Sequence, residues 1–112
     1  MIYNLDKINE MADGDEEFIS SVISVFLEEV PLDLEGLEKA LEEENFEQVY
    51  QLAHKIKPNV DLLGMEQTRA IALEIETLGK NKASIDDMKK VFPILKTDIS
   101  QVVSELKNDF NL

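Results

Sequence analysis

Residues 46–65 read FEQVYQLAHKIKPNVDLLGM, and the fold of the chain turns on how this stretch is read. Phe46, Val49, Ala53, Ile56 and Val60 recur at spacings of three and four. At about 100° per residue, Phe46, Val49, Ile56 and Val60 all fall within about 60° of Ala53, which is one buried stripe of an α-helix. His54 lies about 130° from the centre of that stripe and is therefore predicted to face solvent. Glu47, Tyr50, Gln51, Lys57, Pro58, Asp61 and Met65 share its side, a mostly polar set. Gly64 falls at about 20° from Ala53, so it is predicted to end or tighten the helix and to let a neighbouring helix approach closely.

The same periodicity extends in both directions. Upstream, Phe18, Ile19, Val22, Ile23, Phe26, Leu27 and Val30 define an amphipathic helix starting at Glu16. Pro31 interrupts it before the pattern resumes through Leu34, Leu37, Ala40 and Leu41. One bent helix to about Glu43 is the preferred reading over two helices meeting at the proline. Before it, a short segment Leu5 to Met11 closes at Ala12-Asp13-Gly14-Asp15, with Gly14 as the stop and Asp15 as the next cap. Downstream, Ile71, Ile75 and Leu78 predict an inward face for a helix from about Glu66 to Leu78, ended by Gly79. Ser84 caps a last helix, carrying Met88, Val91, Phe92, Leu95, Ile99, Val102 and Leu106 inward past Pro93 to about Asn108.

Nothing in the chain reads as a strand, a repeat or a low-complexity linker. The expectation is an all-α antiparallel four-helix bundle with a short extra N-terminal helix, one domain over residues 1–112, because each apolar stripe is then buried against two neighbours. A length of 112 residues is enough for one core without staples. A monomer is the default, since one bundle can bury its own stripes.

The sequence carries 24 acidic and 11 basic residues, a formal charge of −13, with 44% hydrophobic residues. That field repels nucleic-acid phosphates and anionic lipid, so neither nucleic acid nor membrane is expected as a partner. No apolar run approaches the roughly 18 to 20 residues of a membrane span, and the first ten residues lack the pattern of a signal peptide. With no cysteine, disulfides and thiolate chemistry are excluded. A cytoplasmic location is the expectation, and the Met1 start and polar end favour a free-standing protein.

His54 is the only histidine. Lys55 and Lys57 sit beside it in an otherwise acidic chain, and Lys57, three residues on, projects from the same face. A cation there offsets the negative charge gained when an imidazole nitrogen takes up a phosphoryl group. Pro58 deletes an amide donor and leaves the carbonyl of His54 without its usual helical partner. It reads either as a tolerated kink or as a small, flat surface that lets another protein come close.

Leu52-Ala53-His54-Lys55-Ile56-Lys57 followed by Leu63-Gly64 resembles the phosphoacceptor helix of the histidine phosphotransfer family, whose pattern runs Ala-His-x-Leu-Lys-Gly to a Leu-Gly pair. Leu73-Glu74-Ile75-Glu76 with Gly79 resembles that family's Leu-Glu element before a glycine, and Phe26 through Glu43 is similar to its preceding helix. The resemblance implies a phosphorelay intermediate. On that resemblance, His54 is expected to take a phosphoryl group from the aspartyl phosphate of a hybrid histidine kinase's receiver domain and to pass it to a response regulator. It implies Lys57 as the residue that contacts the phosphoryl group and Gly64 as the glycine that permits helix packing. Pro58 stands where the family usually has glycine, and Asp61 where a small or polar residue is common. A carboxylate at Asp61, on the histidine face, is expected to disfavour the phosphoryl group unless a cation compensates.

Tyr50, Gln51, Pro58, Asp61 and Leu62 are the partner-binding candidates on this helix, chosen by angle. The chain is not expected to be an enzyme, because one histidine with no cysteine and no glycine-rich phosphate loop supplies neither a triad nor a nucleotide site. No cofactor is expected on the chain, and Mg²⁺ is expected on the partner receiver domain. A carboxylate metal site in the bundle needs a Glu-x-x-His pair, and Gln51 precedes His54 by three, so no metal is expected. The competing function is a non-catalytic interaction module of a signalling system, in which His54 is dispensable.

Overall fold

Three of the helix starts are written locally. Asp15 accepts from the amides of Glu17 and Phe18, Asn45 from that of Gln48, and Ser84 from that of Asp87. Each satisfies donors that the first helical turn leaves open. In the computed structural model, which describes residues 2–112, these caps open α2 (Glu16–Glu42), α3 (Phe46–Leu62) and α5 (Ile85–Asp109). A short α1 (Asp6–Ala12) precedes them, and α4 (Glu66–Lys80) lies between α3 and α5. No strand occurs among the described residues. No helix of these residues is long and apolar enough to cross a membrane.

Consecutive long helices run antiparallel. Gly36 of α2 faces Leu52 and Asp33 meets Lys55, while on the other side Gly79 of α4 faces Val49 and Arg69 meets Asp61. The ring closes where α5 packs on both α4 and α2, and α1 lies against α2. Ile23, Val30, Leu37, Val49, Ile56, Ile75, Leu95 and Leu106 are among the fully buried side chains that fill the interior. At about 1.5 Å per residue α2 spans most of the 44 Å long axis, and Pro31 sits inside it without dividing it.

Two expectations fail in α4 and at Gly64. The helix continues through Gly79 to Lys80, and its buried set is Thr68, Ala72, Ile75, Glu76 and Gly79, while Ile71 and Leu78 are only half-buried. Ile75 is buried as expected and Ile71 and Leu78 pack against the core from its edge, so the inward face also takes in residues that the aliphatic pattern does not mark. Gly79 and Glu76 face α3, which comes close there, whereas Thr68 donates to Asp98 of α5. Gly64 lies beyond the end of α3 at φ +68°, and the space that a Cβ would take is filled by the Asn4 side chain. It makes room for the N-terminal strap, whose Asn4 amide donates to the Leu63 carbonyl, and not for a neighbouring helix.

Candidate functional site

The outward angle of His54 is realised: its side chain is 62% exposed, midway along α3. One ring nitrogen is nevertheless held. Nδ1 lies 2.5 Å from Oε2 of Glu76, which α4 presents from the buried seam with its side chain 10% exposed. The other carboxylate oxygen, Oε1, accepts from Lys57 Nζ at 2.7 Å. Lys57 thus leaves the same helix face as His54, as its position requires, and meets the same carboxylate. A single acid joins the histidine to its lysine.

Charge decides the proton positions. Burial pushes the Glu76 carboxyl up, but the hydrogen bonds and charges of Lys57 and His54 outweigh it and hold the group below its ordinary value of 4.5. At neutral pH Glu76 is an anion, and an ionised carboxylate only accepts. The hydrogen at His54 therefore sits on Nδ1. In the neutral ring the lone pair is then on Nε2, the nitrogen Glu76 does not touch. The arrangement holds the proton on Nδ1 and leaves the lone pair on the ring nitrogen that Glu76 does not engage.

The contact depends on how closely α4 approaches. A Cβ placed on Gly79 would stand 3.1 Å from the Tyr50 amide nitrogen and from Val49 Cγ1, and 3.3 Å from Tyr50 Cα. Gly79, one turn after Glu76, is thus the glycine that permits helix packing beside the site. Tyr50, half-buried one turn before His54, lies nearly parallel to the imidazole, with ring centroids 6.0 Å apart and 25° between planes. Between α3 and α4, Tyr50, Lys57, Glu76 and Lys80 contribute to a hollow of about 320 Å³.

The remaining candidates separate. Gln51 and Pro58 are exposed, Gln51 donating to Glu47 Oε1 at 3.4 Å, whereas Leu62 is half-buried and packs against the core. Asp61 is not a bare carboxylate facing the histidine. Lys7 Nζ of α1 lies 2.8 Å from its Oδ1, and Arg69 Nε of α4 lies 3.5 Å from the same oxygen. Two cations offset the charge that was expected to disfavour a phosphoryl group. On the α2 side, Lys55 Nζ donates to Asp33 Oδ1 at 3.2 Å, and Asp33 Oδ2 is buried without a partner among the described residues.

Glu76, Asp33, Lys7 and Arg69 escape the sequence reading as site residues. Only Glu76 left a signal, as an acid interleaved with Ala72, Ile75 and Gly79 on a helix whose other acids lie outside that set. No group of three His, Cys, Asp or Glu side chains among the described residues is placed to hold a metal ion.

A family model described as "Hpt domain" matches residues 21–106. Among curated proteins, the chain is 27% identical over 106 residues to multistep phosphorelay regulator 1 of Schizosaccharomyces pombe (strain 972 / ATCC 24843). That match takes in 94% of this chain and 36% of the relative, so the chain spans well under half of that protein's length. No solved structure gives a significant match.

Proposed function

This chain belongs to the Hpt domain family, and from that premise we propose that His54 is a phosphoacceptor, taking a phosphoryl group from an aspartyl-phosphate receiver domain and giving it to another. The observation that carries the reading is the exposed imidazole whose Nδ1 is tied to buried Glu76, leaving Nε2 outward. The relative's name, multistep phosphorelay regulator, supports the phosphorelay setting. The donor fits a receiver domain of a hybrid histidine kinase, and the acceptor fits a response regulator.

In the transfer, the Nε2 lone pair attacks phosphorus in line with the aspartyl oxygen. The P–O bond breaks, its electron pair leaves with the partner's carboxylate, and the N–P bond forms. Nδ1 keeps its proton throughout, donated to Glu76. The ring therefore becomes cationic as the phosphoryl group arrives, and the Glu76 carboxylate stabilises that charge in a partly desolvated place. Lys57, held to the same carboxylate, offsets the phosphoryl charge as a point cation. Mg²⁺ belongs to the receiver's acidic pocket, so the partner completes the chemistry and the chain acts as a carrier. Return transfer reverses the same bonds.

Docking over the histidine meets Gln51 and Pro58 directly, with Tyr50 and Leu62 beside them and Asp61, paired to Lys7 and Arg69, at the rim. A carrier must release each partner, which favours a modest interface steered by rim charges.

The test is incubation with a panel of phosphorylated receiver domains, scoring acid-labile, base-stable phosphate on the chain and on His54→Gln. Label on the native chain that the variant lacks is the expected result. A folded native chain that takes no label from any receiver would overturn the carrier reading and leave an interaction module in its place.

A further inference from the structure

Glu76 restrains the imidazole at one atom only. A hydrogen bond at Nδ1 sets the proton but places nothing against either face of the ring. Restraint of its tilt requires a group on such a face. Tyr50 is such a group, nearly parallel to the imidazole with 6.0 Å between centroids. Ring pairs at about 4.5–7 Å attract when offset in this way.

Tyr50 is itself fixed. Its backbone amide nitrogen and Cα stand 3.1 and 3.3 Å from where a Gly79 Cβ would be, so α4 presses on the turn of α3 that carries Tyr50. Glu76 leaves α4 one turn before Gly79. One close helix contact thus positions both restraints on His54, the acceptor at its edge and the aromatic face beside it.

The face also responds to charge. When Nε2 gains a phosphoryl group and Nδ1 keeps its proton, the imidazole carries a delocalised positive charge. A cation within about 6 Å of an aromatic centroid is attracted by the ring quadrupole. The attraction is stronger for the cationic product than for the neutral ring, and only such a difference accelerates the step.

We propose that Tyr50 is a positioning residue for phosphoryl transfer: its aromatic face holds the His54 imidazole with Nε2 aimed outward and steadies the ring as it becomes cationic. The requirement is for the face and not for the hydroxyl. The proposal rests on His54 as the phosphoacceptor, but its test needs no receiver domain.

The probe is phosphoramidate, a small phosphoryl donor. Nε2 attacks the phosphorus of its N-protonated form, the P–N bond breaks, ammonia leaves with the electron pair and its three hydrogens, and the ring retains the Nδ1 proton. Labelling rates are compared for the native chain, Tyr50→Phe and Tyr50→Leu, with ¹⁵N resonances of the imidazole recorded alongside. Phe is expected to stay within about twofold of native, and Leu to fall roughly fivefold while circular dichroism is unchanged. The Leu variant is also expected to shift the imidazole ¹⁵N signals through loss of the aromatic face, with the Nδ1–H tautomer that Glu76 sets retained, and Phe to keep them at their native positions. Should the Leu variant fail to fold, Tyr50→Met makes the same aliphatic comparison.

A Leu or Met variant labelled at the native rate with native imidazole signals would overturn the proposal, as would a Phe variant as slow as Leu. A native chain that phosphoramidate does not label at His54 overturns it as well. Labelling by phosphoramidate with none from any receiver sinks the relay reading alone, and the comparison of Tyr50 variants then still decides this one.

Discussion

Alanine at Gly79 is expected to slow phosphoryl acceptance while leaving the bundle folded, at a stability cost of about 1 kcal/mol. The added Cβ would lie 3.1 Å from the Tyr50 nitrogen and from Val49 Cγ1. Helical backbone cannot step aside as a flexible side-chain end can, and Val49 is fully buried. Helix α4 must therefore back away from α3 by about a few tenths of an ångström. Two terms then oppose each other. Alanine in a helix interior is favoured over glycine by about 1 kcal/mol, while overpacking costs about 1–3 kcal/mol. The net loss is about 1 kcal/mol, a fall in urea midpoint of roughly 0.5–1 M.

The same displacement reaches the site. Glu76 sits one turn before Gly79, and its Oε2 is 2.5 Å from His54 Nδ1. Stretching that bond to about 2.9 Å turns a short charge-assisted bond into an ordinary one. Losing about 1–1.8 kcal/mol of that interaction slows acceptance roughly fivefold to twentyfold. Urea denaturation followed by circular dichroism gives the stability, and ¹⁵N spectra with the labelling rate give the effect on His54. A Gly79→Ala protein that is as active as native, with an unchanged Nδ1–H resonance, would refute the reasoning. It would mean that Val49 and Tyr50 give way without moving Glu76.

Three further outcomes follow from the ionic contacts. The Glu76 carboxyl is held low because Lys57 and His54 outweigh the upward push of burial, so its stabilising contribution is present above its ordinary value of 4.5 and lost as pH falls through the lower folded value. Glu76→Gln is expected to cost about 1–3 kcal/mol at neutral pH, with the gap closing in acid, and a gap that ignores pH in denaturation at several pH values would remove the charge from the account. Burial, then the hydrogen bond to Asp109 and the charges of Asp109 and Glu105, push the Tyr3 phenol up from 10.0 to about 12. Its contribution is full below pH 10.0 and lost between there and about 12, so Tyr3→Phe is expected to be weaker by about 1 kcal/mol at neutral pH and to lack that alkaline loss in a melting series. Asp61→Asn, which weakens half-exposed pairs with Lys7 and Arg69, is expected to lose at most about 1 kcal/mol, and an effect that persists undiminished in high salt would show that screening is not at work.

What was legible in the sequence is what is local. Asp15, Asn45 and Ser84 mark helix starts because a cap bonds amides two or three residues away, and the outward angle of His54 follows from the pitch of its own helix. What was not legible depends on how two helices register. Glu76 is twenty-two residues from His54, and only the close α3–α4 approach at Gly79 brings them together. The aliphatic residues of α4 pointed to Ile71, Ile75 and Leu78, which do meet the core, but nothing in their spacing marks Glu76 and Gly79 as the residues that face α3. Gly64 does follow the end of the helix, as predicted, but at φ +68° the chain has left helical geometry, so the inward angle no longer applies and Asn4 fills the space beside it.

The two buried acids flanking α3 show where the structure invests order. Asp33 on α2 holds Lys55 through one oxygen and leaves the other unpaired among the described residues, an arrangement whose desolvation is only partly offset. Glu76 on α4 engages a partner at each oxygen, so its burial is offset twice and its carboxylate has no freedom to turn. A buried ionic group of that kind fixes register, because a slip between α3 and α4 would strand its charge. The rigid side of His54 is therefore the α4 side, which sets the proton on Nδ1 and the direction of Nε2. Gln51 and Pro58 lie exposed away from that seam. On the proposed carrier role, a receiver that docked over them would reach the imidazole without displacing Glu76, Lys57 or Tyr50, so that different partners could use one unaltered chemical site.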